Sequence, residues 1–210
     1  MGIVYWLGYT LTKLLGKFWL SYRVVGKEKL VGLEGGLLIV SNHVSFLDPP
    51  LVGIAFDEGI HYFARKTLFD SPIANFLFTR CNAIPVNQDK PEVSSLKRVI
   101  ALLRDGEKVV IFPEGERSLD GVMNMTAQPG VGLIVTKADV PILPVRLFGP
   151  EKALPRGSKK LEKYPVTLVV GDVIRPENLV GDLSLPTKER YEGIARRVME
   201  EIAKLELPER

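Results

Sequence analysis

Residues 36–50 read GLLIVSNHVSFLDPP, and the fold turns on how this stretch is parsed. The run 36–41 is apolar without alternation, as a strand buried on both faces of a parallel sheet requires. Such a strand normally hands over to turn residues. This one hands over to Asn42 and His43, with Asp48 five residues further on, in a chain that holds only two histidines. If 44–48 turn into a helix over 49–57, the Asp48 carboxylate can fold back onto one imidazole nitrogen of His43. That contact fixes the tautomer and leaves the other nitrogen to take a proton. The same spacing also suits a plain capping role for both residues, with Asp48 at the start of the helix.

Outward from this stretch, strands and helices alternate. Strands are predicted over 23–26, 36–41, 60–65, 83–86, 107–112, 142–148 and 165–171, mostly runs of Val, Ile, Leu and Phe. Helices are predicted over 49–57, 71–79, 91–105, 129–138 and 187–206. In the third, Val93, Leu96, Ile100 and Leu103 share a face, Asp89 with Glu92 offers an N-terminal cap, and Gly106 stops the helix. The alternation predicts one α/β domain with a largely parallel sheet flanked by helices and mixed at an edge. A chain of 210 residues suits one such domain, assigned to 23–210.

Residues 1–22 read differently. Lys13 and Lys17 interrupt any apolar span of the roughly 20 residues a transmembrane helix needs, and neither an early basic segment nor a small-residue cleavage site marks a signal peptide. On a helix, Val4, Leu7, Leu11, Leu14, Leu15 and Phe18 gather on one face, with Trp6 and Trp19 flanking it. This predicts an N-terminal amphipathic helix lying in a membrane interface, the other reading being a first helix packed on the core. Tryptophan at position 6 does not suit lipidation at Gly2.

The net charge is +3, unevenly spread. Lys13, Lys17, Arg23, Lys27 and Lys29 crowd the first thirty residues, and Lys152, Arg156, Lys159, Lys160 and Lys163 a later segment. Such runs are either solvated faces or attractors of an anionic surface. Cys81 is the single cysteine, which excludes an internal disulfide and suits a reducing cytosol. With hydrophobic residues at 46% and charged ones at 25%, the chain is neither disordered nor a multi-span membrane protein.

A second polar cluster, FPEGERSLDG (112–121), comes straight after the strand KVVIF. Pro113 and Gly115 force a sharp exit, after which Glu114 and Arg117 present opposite charges at the edge of the sheet. An arginine there offers a bidentate grip on phosphate, although a surface turn with an ion pair has the same composition. Asn42, His43 and Asp48, followed by Phe112 to Ser118, resemble the first and third motifs of the 1-acyl-sn-glycerol-3-phosphate (lysophosphatidate) acyltransferases within the glycerolipid acyltransferases. Glu116 stands where threonine is most usual. The resemblance continues through ARKTLF (64–69), NAIPV (82–86), VPILPVRLFG (140–149) and VVGDVI (169–174). Two cations of the family pattern are absent, with Gln88 and Gln128 in their places.

The resemblance implies acyl transfer from a thioester to the free hydroxyl of a lysophospholipid, with lysophosphatidate giving phosphatidate. His43 would act as general base and Asp48 as its orienting carboxylate. Arg65, Lys66, Glu114, Gly115 and Arg117 would shape the acceptor site. The donor would be carried on coenzyme A or an acyl carrier protein. A thioester is already activated, so neither a metal nor a nucleotide cofactor is expected. A membrane surface is expected as partner and nucleic acid is not, placing the protein on the cytoplasmic face of a membrane as a monotopic or peripheral protein. Alternatives are a different lysophospholipid or glycerol 3-phosphate as acceptor, or a lipid-binding protein without catalysis. Neither a dinucleotide loop, a triphosphate loop nor a nucleophile elbow occurs. His61 is read as an unpartnered strand histidine, Cys81 as a small core residue, and Ser45 as an ordinary turn residue.

Overall fold

A computed structural model describes residues 2–87, 93–181 and 184–208. In chain order the elements are α1 (Ile3–Phe18), β1 (Arg23–Val25), β2 (Leu37–Ser41), α2 (Asp48–Gly53), β3 (His61–Arg65), α3 (Pro72–Arg80), β4 (Ala83–Val86), α4 (Val93–Arg104), β5 (Lys108–Ile111), α5 (Gly130–Ala138), β6 (Ile142–Phe148), α6 (Pro150–Ala153), β7 (Thr167–Val170) and α7 (Thr187–Ala203), with short 3-10 turns at Lys27–Leu30, Lys66–Phe69 and Pro176–Asn178. The cap predicted at Asp89 and Glu92, and Gln88, lie outside the described residues.

Seven strands form one sheet in the order β1-β7-β6-β2-β5-β3-β4. Every neighbouring pair is parallel except β6 and β7. The antiparallel step expected at an edge therefore falls one strand further in, and β1 and β7 together oppose the other five. Pro85 sits in β4 at the far edge, where a missing N–H is tolerated.

The centre of the sheet is buried on both sides, as its unalternating sequence demands. Leu38 and Val40 of β2 point into a core built with α4, α5 and α7. Leu37 and Ile39 of the same strand point into a second core with α2, β7 and Leu20. Leu38, Ile39 and Val40 are inaccessible to solvent, and each such side chain contributes about 1.5 to 3 kcal/mol relative to exposure. The register places Val40 opposite Ile111 across β2 and β5. The loops after these two strands consequently leave the sheet side by side.

Helix α3 shows local coding plainly: Ser71 caps it by accepting the Ala74 N–H at 3.1 Å, and Pro72 supplies a fixed φ at the first position. Helix α1 is docked, since Tyr5 and Gly16 are buried on it and Leu20 just beyond is fully buried. The Tyr5 hydroxyl meets that of Tyr62 at 3.0 Å and accepts the Ile60 N–H. Part of the apolar stripe predicted for α1 docks, with Leu15 packed against the second core. Leu7, Leu11, Leu14 and Phe18 are exposed, with Leu11 at 70%. Among the described residues no helix is long and apolar enough to cross a membrane. Cys81, expected in the core, is half-buried at the end of α3.

Candidate active site

Four segments meet at the carboxyl ends of the parallel strands. Residues 42–48 follow β2, 112–121 follow β5, Arg65 ends β3, and α6 with the loop beyond it follows β6. This is where open α/β sheets gather ligands, because the loops diverge there and leave a crevice.

Asn42 fixes the first segment. Its amide donates to the Leu147 carbonyl at 3.0 Å and accepts the Leu147 N–H at 2.8 Å, extending the β2–β6 ladder by one side chain. His43 then lies with Nδ1 2.9 Å from Asp48 Oδ2, and that oxygen also accepts the Val44 and Ser45 N–H groups at 2.6 and 2.7 Å. The carboxylate only accepts, so Nδ1 carries the proton and Nε2 has its lone pair available. Asp48 is fully buried while the His43 side chain is 16% exposed. The imidazole is thus open to solvent and its carboxylate partner is not. Asp48 opens α2 but does not cap it: Leu47 holds the N-cap position without a side-chain cap bond, and the N–H groups that Asp48 accepts belong to the loop before the helix, so the capping expected of this residue gives way to a contact with the imidazole.

The turn after β5 is latched onto His43 from both sides. The His43 N–H donates to Glu114 Oε1 at 2.7 Å, and the His43 carbonyl accepts the Ser118 N–H at 2.9 Å. The other Glu114 oxygen accepts the Asn124 N–H. Glu114 was expected to display its charge at the sheet edge; it is buried and holds two loops together. Burial pushes its carboxyl above the ordinary value, against the pull of the two backbone N–H groups. Gly115 makes the turn at φ +82°, where a Cβ would come within 2.9 Å of the Gln128 side chain. Phe112 stacks on the His43 ring at 4.2 Å between centroids.

Arg117 lies over the Phe46 ring, 3.4 Å from its centroid. Its Nη1 is buried with no hydrogen-bond partner among the described residues. Burial pushes the guanidinium pKa down, and Arg156 and Arg65 push it the same way. Phe46 and Arg156 were not singled out from the sequence as site residues. An aromatic inside the His43–Asp48 turn was a usable signal for the first; Arg156, 39 residues after Arg117, offered none.

A cavity of about 430 Å³ opens beside this constellation. His43, Arg65, Glu114 and Gly115 line its polar end, and Phe63, Leu96, Val131 and Ile134 its apolar interior. Lys66 begins the 3-10 turn after Arg65 and is exposed. The serines beside His43 are occupied: Ser45 Oγ donates to the Leu154 carbonyl and Ser41 Oγ to the Asn42 carbonyl. His61 has a partner after all, Glu107 at 3.5 Å, at the other end of the sheet. Among the described residues no three His, Cys, Asp or Glu side chains converge as a metal site requires.

A family model described as acyltransferase matches residues 21–147. The chain is 29% identical over 185 residues to a 1-acyl-sn-glycerol-3-phosphate acyltransferase of Bacillus subtilis, covering 88% of this chain and 87% of that one. A protein of the same name from Helicobacter pylori is 30% identical, over 86% of this chain and 74% of its own length. A chloroplastic relative from Brassica napus is 29% identical, and there the chain spans 44% of the relative's length. In three dimensions it resembles the crystal structure of a 1-acyl-sn-glycerophosphate acyltransferase from Thermotoga maritima, with a TM-score of 0.71, 24% identity, and coverage of 97% and 80% of the two chains. That last likeness speaks to the fold.

Proposed function

This chain belongs to the acyltransferase family, and from that premise we propose that it transfers a fatty acyl group from a thioester to the free hydroxyl of lysophosphatidate, giving phosphatidate. The observation that carries the reading is the His43–Asp48 pair latched to the Phe112–Ser118 turn at the mouth of an apolar cavity. His43 Nε2 removes the hydroxyl proton as the acceptor oxygen bonds to the thioester carbon. Electrons move onto the carbonyl oxygen, which backbone N–H groups stabilise. Collapse of the tetrahedral centre breaks the C–S bond, and the departing thiolate takes the proton back from the imidazolium. Asp48 holds the ring in one tautomer and stabilises its charged form. Acyl transfer is direct, since the neighbouring serine hydroxyls are committed to carbonyl groups.

Arg117 faces the acceptor phosphate, with Arg65 and Lys66 beside it. A guanidinium gives two parallel bonds to a terminal phosphate and stays charged throughout the accessible pH range. The apolar interior of the cavity is suited to an acyl chain. The donor is an acyl thioester of coenzyme A or of acyl carrier protein. The exposed stripe on α1 would hold the protein on the cytoplasmic face of a membrane, where both lipids reside. Following thiol release from acyl thioesters of both kinds over a panel of acceptors tests the reading. Release that depends on lysophosphatidate supports it; release with another lysophospholipid but not with lysophosphatidate reassigns the acceptor, and no release with any long-chain donor sinks the catalytic assignment.

A further inference from the structure

The basic run 152–163 does not behave as one surface. Lys152 rests on the Tyr164 hydroxyl, Lys160 pairs with Glu162, and Lys159 and Lys163 are exposed. Arg156 instead reaches back to the turn after β5. Its Nη1 donates to the Arg117 carbonyl, and its Nη2 lies 3.4 Å from Glu116 Oε2. The Arg156 side chain is 28% exposed and the Glu116 side chain 66%.

Two arginines thus meet at the turn latched to His43, and Arg65 lines the neighbouring cavity. Burial and Arg156 disfavour the charge on Arg117, Asp48 offsets this in part, Arg65 adds to it, and an Arg117 nitrogen is buried with no acceptor among the described residues. Gathering like charges on a partly desolvated surface opposes folding unless an anion is to be bound. Glu116 is an inadequate counterion, being mostly in water and at the long limit of a hydrogen bond. Nor does Gln128, which lies against Gly115 in this turn, contribute charge.

We propose that Arg156 is a specificity-determining residue: pinned on the Arg117 carbonyl, its guanidinium closes with Arg117 on the terminal phosphate of the acceptor. This rests on the phosphate-bearing acceptor proposed above. Arg156 keeps N–H groups beyond the one spent on the carbonyl, and the phosphate displaces Glu116 from it. Glu116 therefore competes with the acceptor, which gives the proposal an unusual sign. Removing that carboxylate should tighten acceptor binding, whereas a purely structural Glu116–Arg156 brace would make the same change loosen it.

The test is steady-state kinetics of the full chain with one acyl thioester and two acceptors, lysophosphatidate and monoacylglycerol, which differ in the phosphate. Arg156→Met should lower kcat/KM for lysophosphatidate by roughly 10- to 100-fold, the scale of a lost charge-assisted bond, and change monoacylglycerol turnover little. Arg156→Lys should recover part of the loss, and it keeps the question open to experiment if the methionine variant misfolds. Glu116→Gln should lower KM for lysophosphatidate. If monoacylglycerol turns over too slowly to follow, competitive inhibition by inorganic phosphate reads the same contact: it should weaken in Arg156→Met and strengthen in Glu116→Gln. Equal losses on both acceptors, undiminished phosphate inhibition in Arg156→Met, or a raised KM in Glu116→Gln each overturn the proposal while leaving the acceptor reading in place. A wild type that acylates monoacylglycerol as well as lysophosphatidate and is indifferent to inorganic phosphate overturns both.

Discussion

The two histidines of this chain stand at opposite ends of one sheet. His43 follows the carboxyl end of β2, and His61 opens β3 at its amino end. Each has a carboxylate beside its ring. Asp48 is fully buried, 2.9 Å from His43, and its oxygen is held by two backbone N–H groups. Glu107 is half exposed and 3.5 Å from His61. At the second site water competes for the half-exposed carboxylate and little energy is stored in the pair. At the first, the carboxylate cannot turn away, so one ring nitrogen is committed and the other is free to react. Proximity alone does not prepare a histidine–carboxylate pair for proton transfer; fixation and burial of the carboxylate do, and His43 with Asp48 has both.

The most direct attempt to break this contrast is to remove each ring in turn. His43→Ala should cost on the order of 10² to 10⁴ in kcat, the usual scale for a lost general base, with the fold retained by circular dichroism. His61→Ala should leave the rate within about twofold, as loss of a loosely paired ring at the far end of the sheet would. A His43→Ala enzyme retaining more than about a tenth of wild-type activity would refute the assignment of the base.

Asp48→Asn sharpens the same contrast, because it removes the charge while keeping the shape. Its loss in kcat should be smaller than that of His43→Ala if Asp48 only orients and stabilises the ring. Losses of equal size would mean that the two residues act as a unit.

Arg117→Lys comes next in size. The lysine keeps the charge but loses the two-pronged geometry, so kcat/KM for lysophosphatidate should fall by about one to two powers of ten. The donor's KM should move much less, because the proposed contact is with the acceptor. Unchanged acceptor kinetics, together with a preference for lysophosphatidylcholine or lysophosphatidylethanolamine, would place the phosphate elsewhere.

Helix α1 has the same division between a fixed side and a solvent-facing side. Replacing Leu7, Leu11 and Leu14 together by serine touches exposed residues, and should reduce sedimentation with anionic vesicles while leaving the melting temperature nearly unchanged. Undiminished sedimentation would remove the stripe from the membrane reading. Deleting the whole segment is a poorer test, since Tyr5 and Leu20 are core residues.

The smallest expected effect is on stability against pH, through Glu114. Its carboxyl is raised above the ordinary 4.5, chiefly by burial. The folded state therefore holds this proton more tightly than the unfolded chain does. The stability the group contributes is complete below 4.5 and is lost as pH rises through the raised value. Denaturant titrations should show this decline in the wild type and a flatter profile in Glu114→Gln. Parallel profiles would mean that other groups govern this range.

Much of this site was legible in the chain. The apolar run ending in Asn42 and His43 and the sharp turn opened by Pro113 and Gly115 are both local features, and local features survive in sequence. The alternation of elements was equally plain, and the boundaries differ mainly where α2 ends at Gly53 instead of continuing to 57. Other features were hidden because they join residues far apart. The antiparallel step between β6 and β7 depends on which edge the returning chain selects. Glu114 looks like a surface charge until Asn124 and His43 are seen to close over it. Arg156 reads as one more cation in a basic run.

From sequence alone came the α/β alternation, the pairing of His43 with Asp48, the second motif carrying Arg117, and the apolar stripe on α1. Each is written in spacings short enough for one helix, strand or turn to impose. Tertiary structure decided that Val40 lies opposite Ile111, which brings the two motifs together, and that Asp48 is sealed from water while His43 is not. It also decided that Arg156 folds onto Arg117 instead of into solvent. Burial and convergence depend on what the rest of the chain packs against a residue, and no local spacing records that.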